Sequence, residues 1–259
     1  MNISQITLII RKEFSVLFKN KNVLMGLFIP PIAFSILLPL IVYLIPDLAV
    51  ELKLITTLIE PYVAITGFTA KQKESYLTLF LLQIFYLILP PLLTNTLASE
   101  SIVGEKEEGT IESLLTTPFT DGEIFVGKIF SIFVPIALIL WLVAIPYMLI
   151  VNFFTFSTFH YYIYPNLSFI IFLFILIPIL IIESIIAMMI ISIKAKTAKE
   201  ARQLGISFIL PLLLIVITSN IFAFFTISLM FVSILINILI IFVLYYLALA
   251  NFTRERLIN

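Results

Sequence analysis

The chain has 259 residues, of which 62% are hydrophobic and only 12% are charged, and its formal net charge is zero. Soluble domains carry about 25% charged residues, so this composition excludes a water-soluble globular protein and indicates an integral membrane protein. The absence of cysteine excludes disulfides and thiolate metal sites, and a single histidine excludes histidine clusters for haem or metal. Zero net charge gives no indication of a nucleic-acid partner. The lipid bilayer is the partner that composition implies.

The first 22 residues combine charged side chains with apolar ones at helical spacing. The apolar residues fall on one face of a helix: Ile3, Ile6, Ile10, Phe14, Leu17 and Phe18. This pattern predicts an amphipathic helix over residues 1–22 that lies in the membrane interface. The alternative is that these residues simply extend the first membrane span.

Six apolar segments follow, each a candidate membrane span, since a helix needs about 20 apolar residues to cross roughly 30 Å of hydrocarbon. They are residues about 23–46, 76–99, 128–152, 167–193, 205–220 and 228–250. The fifth is barely long enough, and residues 221–228 after it form either a loop or a re-entrant turn. We therefore predict an all-α integral membrane protein with six transmembrane helices in one domain, residues 1–259.

Lysine and arginine are unevenly distributed between the connections. If both termini are cytoplasmic, that side carries four before the first span, two in residues 104–128, four in 194–202 and two in the C-terminal tail. The outer side then carries only Lys53, Lys71 and Lys73. Cytoplasmic loops carry an excess of these residues, so both termini and the connection between spans two and three are predicted to be cytoplasmic.

That connection, residues 104–128, is GEKEEGTIESLLTTPFTDGEIFVGK, which we call the polar segment. Its last seven residues, 122–128, have the GxxxxGK spacing of a phosphate-binding loop. However, Ile129 stands where that loop needs a serine or threonine, and no β-strand precedes the first glycine. We therefore predict no nucleotide site here.

The polar segment contains the signals of a short helix. Thr110 is a candidate N-cap, the apolar side chains of Ile111, Leu114 and Leu115 share one face, and Pro118 ends the pattern. A second start signal, the capping-box sequence of residues 120–123, precedes the third span. A helix this short is not stable alone in water. It therefore packs on this chain's own spans, on the lipid interface, or in a groove of a partner protein.

The polar segment resembles the first cytoplasmic loop of ABC-2-type ABC transporter permeases. The resemblance lies in E-x-E-x-G-T-x-E-x-L-L-x-T-P, followed about nine residues later by G-K. In this chain these residues are Glu105, Glu107, Gly109, Thr110, Glu112, Leu114, Leu115, Thr117, Pro118, Gly127 and Lys128. Residues 194–211, KAKTAKEARQLGISFILP, are loosely similar to the second cytoplasmic connection of that family.

The resemblance implies that the short helix is a coupling helix seated in a groove of a separate ABC ATP-binding subunit. That subunit binds ATP and magnesium, so this chain is not itself an enzyme and binds no cofactor. It would act with a second permease copy or paralogue in the cell membrane, exporting a drug, lipid, polysaccharide or cation. The implied contact residues are Glu108, Gly109, Thr110, Ile111, Glu112, Leu114, Leu115, Thr117 and Pro118.

Two further groups of acidic residues leave alternatives open. Glu105, Glu107, Glu108 and Glu112 either pair with basic residues of the partner or form a solvated face. Glu183 lies inside the fourth predicted span, and an intramembrane carboxylate is a functional-site candidate. The other interpretation is a carboxylate near the membrane boundary, hydrogen-bonded to Ser184 or to a lysine of residues 194–199. With Glu183 as the coupling group, the alternative function is a self-contained secondary transporter or channel.

Overall fold

The structure is a computed structural model of the chain. It describes residues 7, 8, 10–12, 14, 21–45, 68–104, 107, 121–192, 195, 197–207, 214 and 227–251. All regular secondary structure in these ranges is helical. Five of the helical stretches are long and apolar enough to span a membrane: Val23–Leu44, Ala70–Ser101, Val126–Phe159, Leu167–Ser192 and Ser228–Ala248.

These five stretches correspond to five of the six predicted spans. The remaining one, residues 205–220, lies outside the described residues except for 205–207 and 214. Most of the predicted amphipathic helix, residues 1–22, also lies outside them. Both elements therefore stay predictions.

We number the helices in chain order. They are α1 (Lys21–Ile32), α2 (Leu38–Leu44), α3 (Ala70–Tyr86), α4 (Leu89–Ala98), α5 (Asp121–Phe159), α6 (Leu167–Ile171), α7 (Ile177–Ser192), α8 (residues 198–207) and α9 (Ile227–Asn251). Three π-helical turns continue these helices: Ala33–Leu37 joins α1 to α2, Ser99–Gly104 follows α4, and Phe172–Leu176 joins α6 to α7.

Two of the π-turns end two residues before a proline. Ala33–Leu37 precedes Pro39, and Phe172–Leu176 precedes Pro178. Proline has no N–H, and its ring pushes away the carbonyl four residues earlier, so the preceding turn cannot stay regular. The wider turn absorbs this conflict: the N–H after each π-turn bonds to the carbonyl five residues back.

The longest helix is α5, with 39 residues. At 1.5 Å per residue it is about 58 Å long, well beyond the roughly 30 Å of hydrocarbon. It begins at Asp121, directly after the predicted cap, but extends past the predicted span of residues 128–152 at both ends. At its far end His160 has a φ of 61°, a left-handed conformation that histidine tolerates, and the chain turns out of the helix there.

The centre of the bundle is α7, which packs against α4, α5 and α9. In the fourth span 61% of the most apolar window is buried, against 28% in the spans formed by α1–α2 and by α9. The two outer spans therefore present apolar side chains outwards, as lipid-facing helices do. The core is thus formed mainly by the second, third and fourth spans.

Candidate functional site

The nine residues predicted to contact an ATP-binding subunit lie outside the described residues. They are Glu108, Gly109, Thr110, Ile111, Glu112, Leu114, Leu115, Thr117 and Pro118. The structure does describe both flanks of this stretch, the π-turn Ser99–Gly104 before it and the start of α5 after it, together with Glu107. The short helix stays a prediction, and the contacts of its flanks define the candidate site.

A buried lysine forms a hydrogen bond between the two flanks. Lys128, the last residue of the polar segment, is only 7% exposed, and its Nζ donates a hydrogen bond to the carbonyl oxygen of Ser101 at 2.6 Å. A buried ammonium needs such an acceptor, because leaving the charge unpaired is costly. The π-turn after α4 and the start of α5 are therefore joined by this hydrogen bond.

Glu107 joins the polar segment to the connection that follows the fourth span. Its Oε2 accepts a hydrogen bond from the backbone N–H of Ala198 at 2.9 Å. Ala198 is the first residue of α8, and the leading N–H groups of a helix have no partner within it. The carboxylate meets both this donor and the positive end of the helix dipole. Glu107 thus has an in-chain partner that the sequence did not indicate.

The start of α8 is also capped by its own sequence. The Thr197 hydroxyl accepts a hydrogen bond from the N–H of Glu200 at 3.1 Å. Thr197 and Glu200 have the spacing of a capping box, T-x-x-E, which would have located the helix start from sequence alone. Together, Thr197 and Glu107 satisfy two of the leading donors of α8.

An ion pair one turn further along α8 lies in the same junction. The carboxylate of Glu100, in the π-turn after α4, binds the guanidinium of Arg202. The side-chain amide of Asn95 donates to the carbonyl oxygen of Arg202 at 3.3 Å. Glu100 and Arg202 are 102 residues apart in sequence. No local spacing pattern signals a pair so distant, and Glu100 was not among the predicted site residues.

Close packing completes the junction. A Cβ on Gly205 would lie 2.2 Å from Asn95 Oδ1 and 2.8 Å from Met188 Sδ. Both distances are far shorter than van der Waals contact, so any other residue would displace its neighbours. Helix α8 therefore approaches α4 and α7 as closely as glycine allows. A small buried apolar cluster lies alongside: Val103, Ala195 and Ala201.

The GxxxxGK spacing at residues 122–128 lies inside α5. A phosphate-binding loop needs an irregular backbone whose N–H groups converge on the anion. In a helix those groups point along the axis toward preceding carbonyls, so these residues are not a phosphate-binding loop. Within the described ranges, no group of three or more His, Asp or Glu side chains is placed to hold a metal ion.

Glu183 lies far along the chain from this junction, in the middle of α7. It is 1% exposed, and neither carboxylate oxygen has a hydrogen-bond partner among the described residues. Ser184 is not its partner, because the Ser184 hydroxyl donates to the carbonyl oxygen of Leu180 at 2.7 Å. The alternative in which Glu183 is hydrogen-bonded to Ser184 is therefore wrong.

Glu183 lies one turn before residues of α7 that pack against α9. Glu183 precedes Ile186 and Ala187 by three and four residues, and these two pack against α9. Asn237 lies on the buried face of α9, and its Oδ1 has no hydrogen-bond partner in the described part of the chain. Two buried polar groups without a hydrogen-bond partner among the described residues thus lie on these two packed helices.

A small cavity lies at the opposite end of the bundle from the polar segment. Its volume is about 40 Å³, enough for two or three water molecules, and Tyr76, Gln83, Tyr164 and Ser168 contribute polar groups to it. The Tyr164 hydroxyl donates to Gln83 Oε1 at 3.1 Å. Burial raises the pKa of the Tyr164 hydroxyl, which keeps the proton for this hydrogen bond.

Comparison with known proteins identifies the family. A family model described as "ABC-2 family transporter protein" matches residues 7–256, nearly the whole chain. No curated protein and no solved structure matches this chain. The match agrees with the apolar helical bundle and with the motif in the polar segment. The chain belongs to the ABC-2 family of transporter membrane proteins.

Proposed function

We propose that this chain is the permease subunit of an ATP-driven ABC exporter. It would move a drug, lipid, polysaccharide or cation across the cell membrane while a separate subunit binds ATP and magnesium and hydrolyses the nucleotide. The observation that carries this proposal is the family motif in the polar segment. The helix ends on both sides of that segment are joined to each other by a hydrogen bond. Lys128, part of that motif, binds the carbonyl oxygen of Ser101 and so fixes where the segment emerges.

Within this proposal, residues 110–117 form the coupling helix that binds the ATP-binding subunit. Leu114 and Leu115 share one face and would enter an apolar groove of that subunit, as an amphipathic helix does in a partner groove. Glu112, on the opposite face, would stay in water or pair with a basic residue of the partner. A second permease copy or paralogue would complete the complex, with one ATP-binding subunit for each.

The proposed topology has six spans and both termini in the cytoplasm. It rests on the bias of lysine and arginine toward one side of the membrane. The fifth span in this proposal is residues 205–220, an apolar stretch that begins within α8. This orientation places the polar segment in the cytoplasm, on the side where ATP is found.

Replacing Leu114 and Leu115 with aspartate tests the coupling helix. We expect this double variant to insert into the membrane but to lose co-purification with the ATP-binding subunit, because two buried charges oppose docking in an apolar groove. A matched control replaces Leu138 and Leu142 with alanine; both lie on the exposed side of α5. If the Leu114→Asp, Leu115→Asp variant keeps the complex intact, the assignment of the coupling helix is wrong.

Single cysteines test the orientation directly, because the chain contains none. An impermeant thiol reagent added outside intact cells should label a Glu60→Cys variant and leave a Ser113→Cys variant unlabelled. After permeabilisation, both variants should react. Labelling of Ser113→Cys from outside would reverse the proposed topology.

The unpaired carboxylate of Glu183 favours a second candidate, a self-contained transporter or channel with Glu183 as the coupling group. The permease alone, in liposomes with an internal pH dye, distinguishes the two. The first candidate predicts no proton flux after a pH gradient is applied. The second predicts flux without any ATP-binding subunit, and its loss in a Glu183→Gln variant.

A further inference from the structure

We propose that Glu107 and Glu100 are positioning residues that link the polar segment to α8 and transmit its displacement to the fifth predicted span. This inference rests on the proposed function, in which the polar segment is moved by an ATP-binding subunit. The displacement would then reach the membrane-spanning helices in two ways: through α5, which continues the polar segment covalently, and through α8. Residues 195–207 then take part in coupling although they lie far from the motif in sequence.

The first step of this route is the contact of Glu107 with the start of α8. The Ala198 N–H points along the helix axis and has no acceptor within α8, so the Glu107 carboxylate supplies one at 2.9 Å. A hydrogen bond to a charged acceptor is stronger and shorter than a neutral one. Glu107 belongs to the same motif as the predicted coupling helix and is separated from Thr110 by only two residues. A displacement of that helix therefore pulls directly on the first turn of α8.

The second step is the ion pair between Glu100 and Arg202. The two side chains are 26% and 42% exposed, so screening by water and salt keeps this contact weak on its own. Arg202 is nevertheless fixed at its backbone, because its carbonyl oxygen accepts a hydrogen bond from Asn95. Glu100 lies in the π-turn that leads into the polar segment. The flank before the segment is thus attached to α8 one turn beyond the Glu107 contact.

The third step is the packing of α8 at Gly205. The lack of a side chain there lets α8 lie against Asn95 and Met188 with no space between them. A helix in such close contact cannot slide independently of its neighbours. Because α8 leads into residues 205–220, a shift of its first turns would tilt the fifth predicted span about this contact with α4 and α7.

The experiment uses the complex of the permease and its ATP-binding subunit in lipid nanodiscs. A single cysteine, Lys199→Cys, is placed at an exposed position in the first turn of α8. Its alkylation rate by a water-soluble maleimide is measured without nucleotide and after trapping with ATP, magnesium and vanadate. We expect trapping to change the rate, and the Glu107→Ala variant to reduce that change roughly three- to tenfold, since a charged hydrogen bond is lost.

Further variants distinguish a specific role of these contacts from a general loss of folding. Glu107→Gln keeps an acceptor oxygen and should preserve part of the response. The Glu107→Ala, Arg202→Gln double variant should abolish the labelling response. The charge-exchange variant, Glu100→Arg with Arg202→Glu, can still form an ion pair, so it should regain part of the response that Arg202→Gln loses. A matched control, Gln203→Ala, changes an exposed residue of the same helix and should leave the response unchanged.

The outcomes distinguish this inference from the proposed function. If no ATP-binding subunit co-purifies with the unmodified permease, the proposed function itself fails. If the complex forms and hydrolyses ATP but trapping does not alter Lys199→Cys labelling, α8 does not respond and the inference is wrong. An undiminished response in the Glu107→Ala, Arg202→Gln variant, with hydrolysis intact, also overturns it.

Discussion

The two ends of the helix bundle are held by different kinds of contact. At the end that bears the polar segment, the contacts involve charge: Lys128 with a carbonyl, Glu107 with a helix start, and Glu100 with Arg202. At the opposite end, residues 160–166 are held by neutral groups. Asn152 accepts hydrogen bonds from two backbone N–H groups of this loop and donates one to the carbonyl oxygen of Tyr164.

Aromatic rings reinforce the neutral end. Phe68 packs edge-on against both Tyr76 and Phe159, and the ring centroids of Tyr164 and Phe169 are 4.6 Å apart. Such contacts depend on shape and do not respond to salt. Exposed ionic contacts are individually weak and can exchange partners at low cost. The difference indicates that the partly exposed Glu100–Arg202 pair at the charged end can rearrange more easily than the contacts of the neutral end.

The largest effect is expected from Asn152→Ala at the neutral end. This change removes three hydrogen bonds at once and leaves partly buried backbone groups without partners. It should lower the free energy of unfolding by about 3 kcal/mol. Unfolding in one fixed detergent can be followed by the fluorescence of Trp141, the single tryptophan. The control Ser157→Ala, at an exposed hydroxyl, should change stability by less than about 0.5 kcal/mol. If Asn152→Ala and Ser157→Ala lower the free energy of unfolding equally, the hydrogen bonds of Asn152 do not stabilise the loop of residues 160–166.

A smaller effect is expected from Gly205→Ala at the charged end. The new methyl group would collide with Asn95 and Met188, and overpacking of this kind costs about 2 kcal/mol. Gly104→Ala is the matched control, because the nearest atom to its Cβ would be Glu100 Oε2 at an ordinary 3.7 Å. The same unfolding measurement should show no loss for Gly104→Ala. A harmless Gly205→Ala would mean that α8 is not closely packed.

The smallest effect is expected from Arg202→Gln. Its ion pair with Glu100 is partly exposed, so its loss should cost less than about 1 kcal/mol at low salt. The difference should vanish at about 1 M salt, where the screening length is roughly 3 Å. The loss caused by Asn152→Ala should be independent of salt. If both losses respond to salt alike, the proposed contrast between the two ends fails.

The sequence predicted the membrane spans well wherever hydropathy alone decides. Predicted segments 167–193 and 228–250 agree within two residues with the spans Leu167–Ser192 and Ser228–Ala248. The start of the second span was placed too late, at residue 76, because polar residues follow Ala70. A capping box formed by Thr69 and Gln72 starts that helix, and its T-x-x-Q sequence was a local signal for it.

The candidate site was less predictable. Lys128 and Glu107 both belong to the motif, yet their partners lie in the chain at Ser101 and Ala198, 27 and 91 residues away. Periodicity and capping rules describe neighbours in sequence, so they cannot report such pairs. The burial of Glu183 is a result of the same kind: composition marked the carboxylate as unusual, but only the fold shows that it is buried without a hydrogen-bond partner among the described residues.

The π-turn Phe172–Leu176 sets the rotational phase of the fourth span. One extra residue in a helix turns everything after it by about 100° relative to everything before it. Phe169, before the turn, is buried in the aromatic cluster, and Glu183, fourteen residues later, is also buried. In a regular helix fourteen residues make almost four full turns, so the two side chains would lie on nearly the same face. The wide turn instead rotates Glu183 by about 100° away from the face of Phe169. The same turn therefore decides which side of the span packs on the aromatic cluster and which side carries the acidic group.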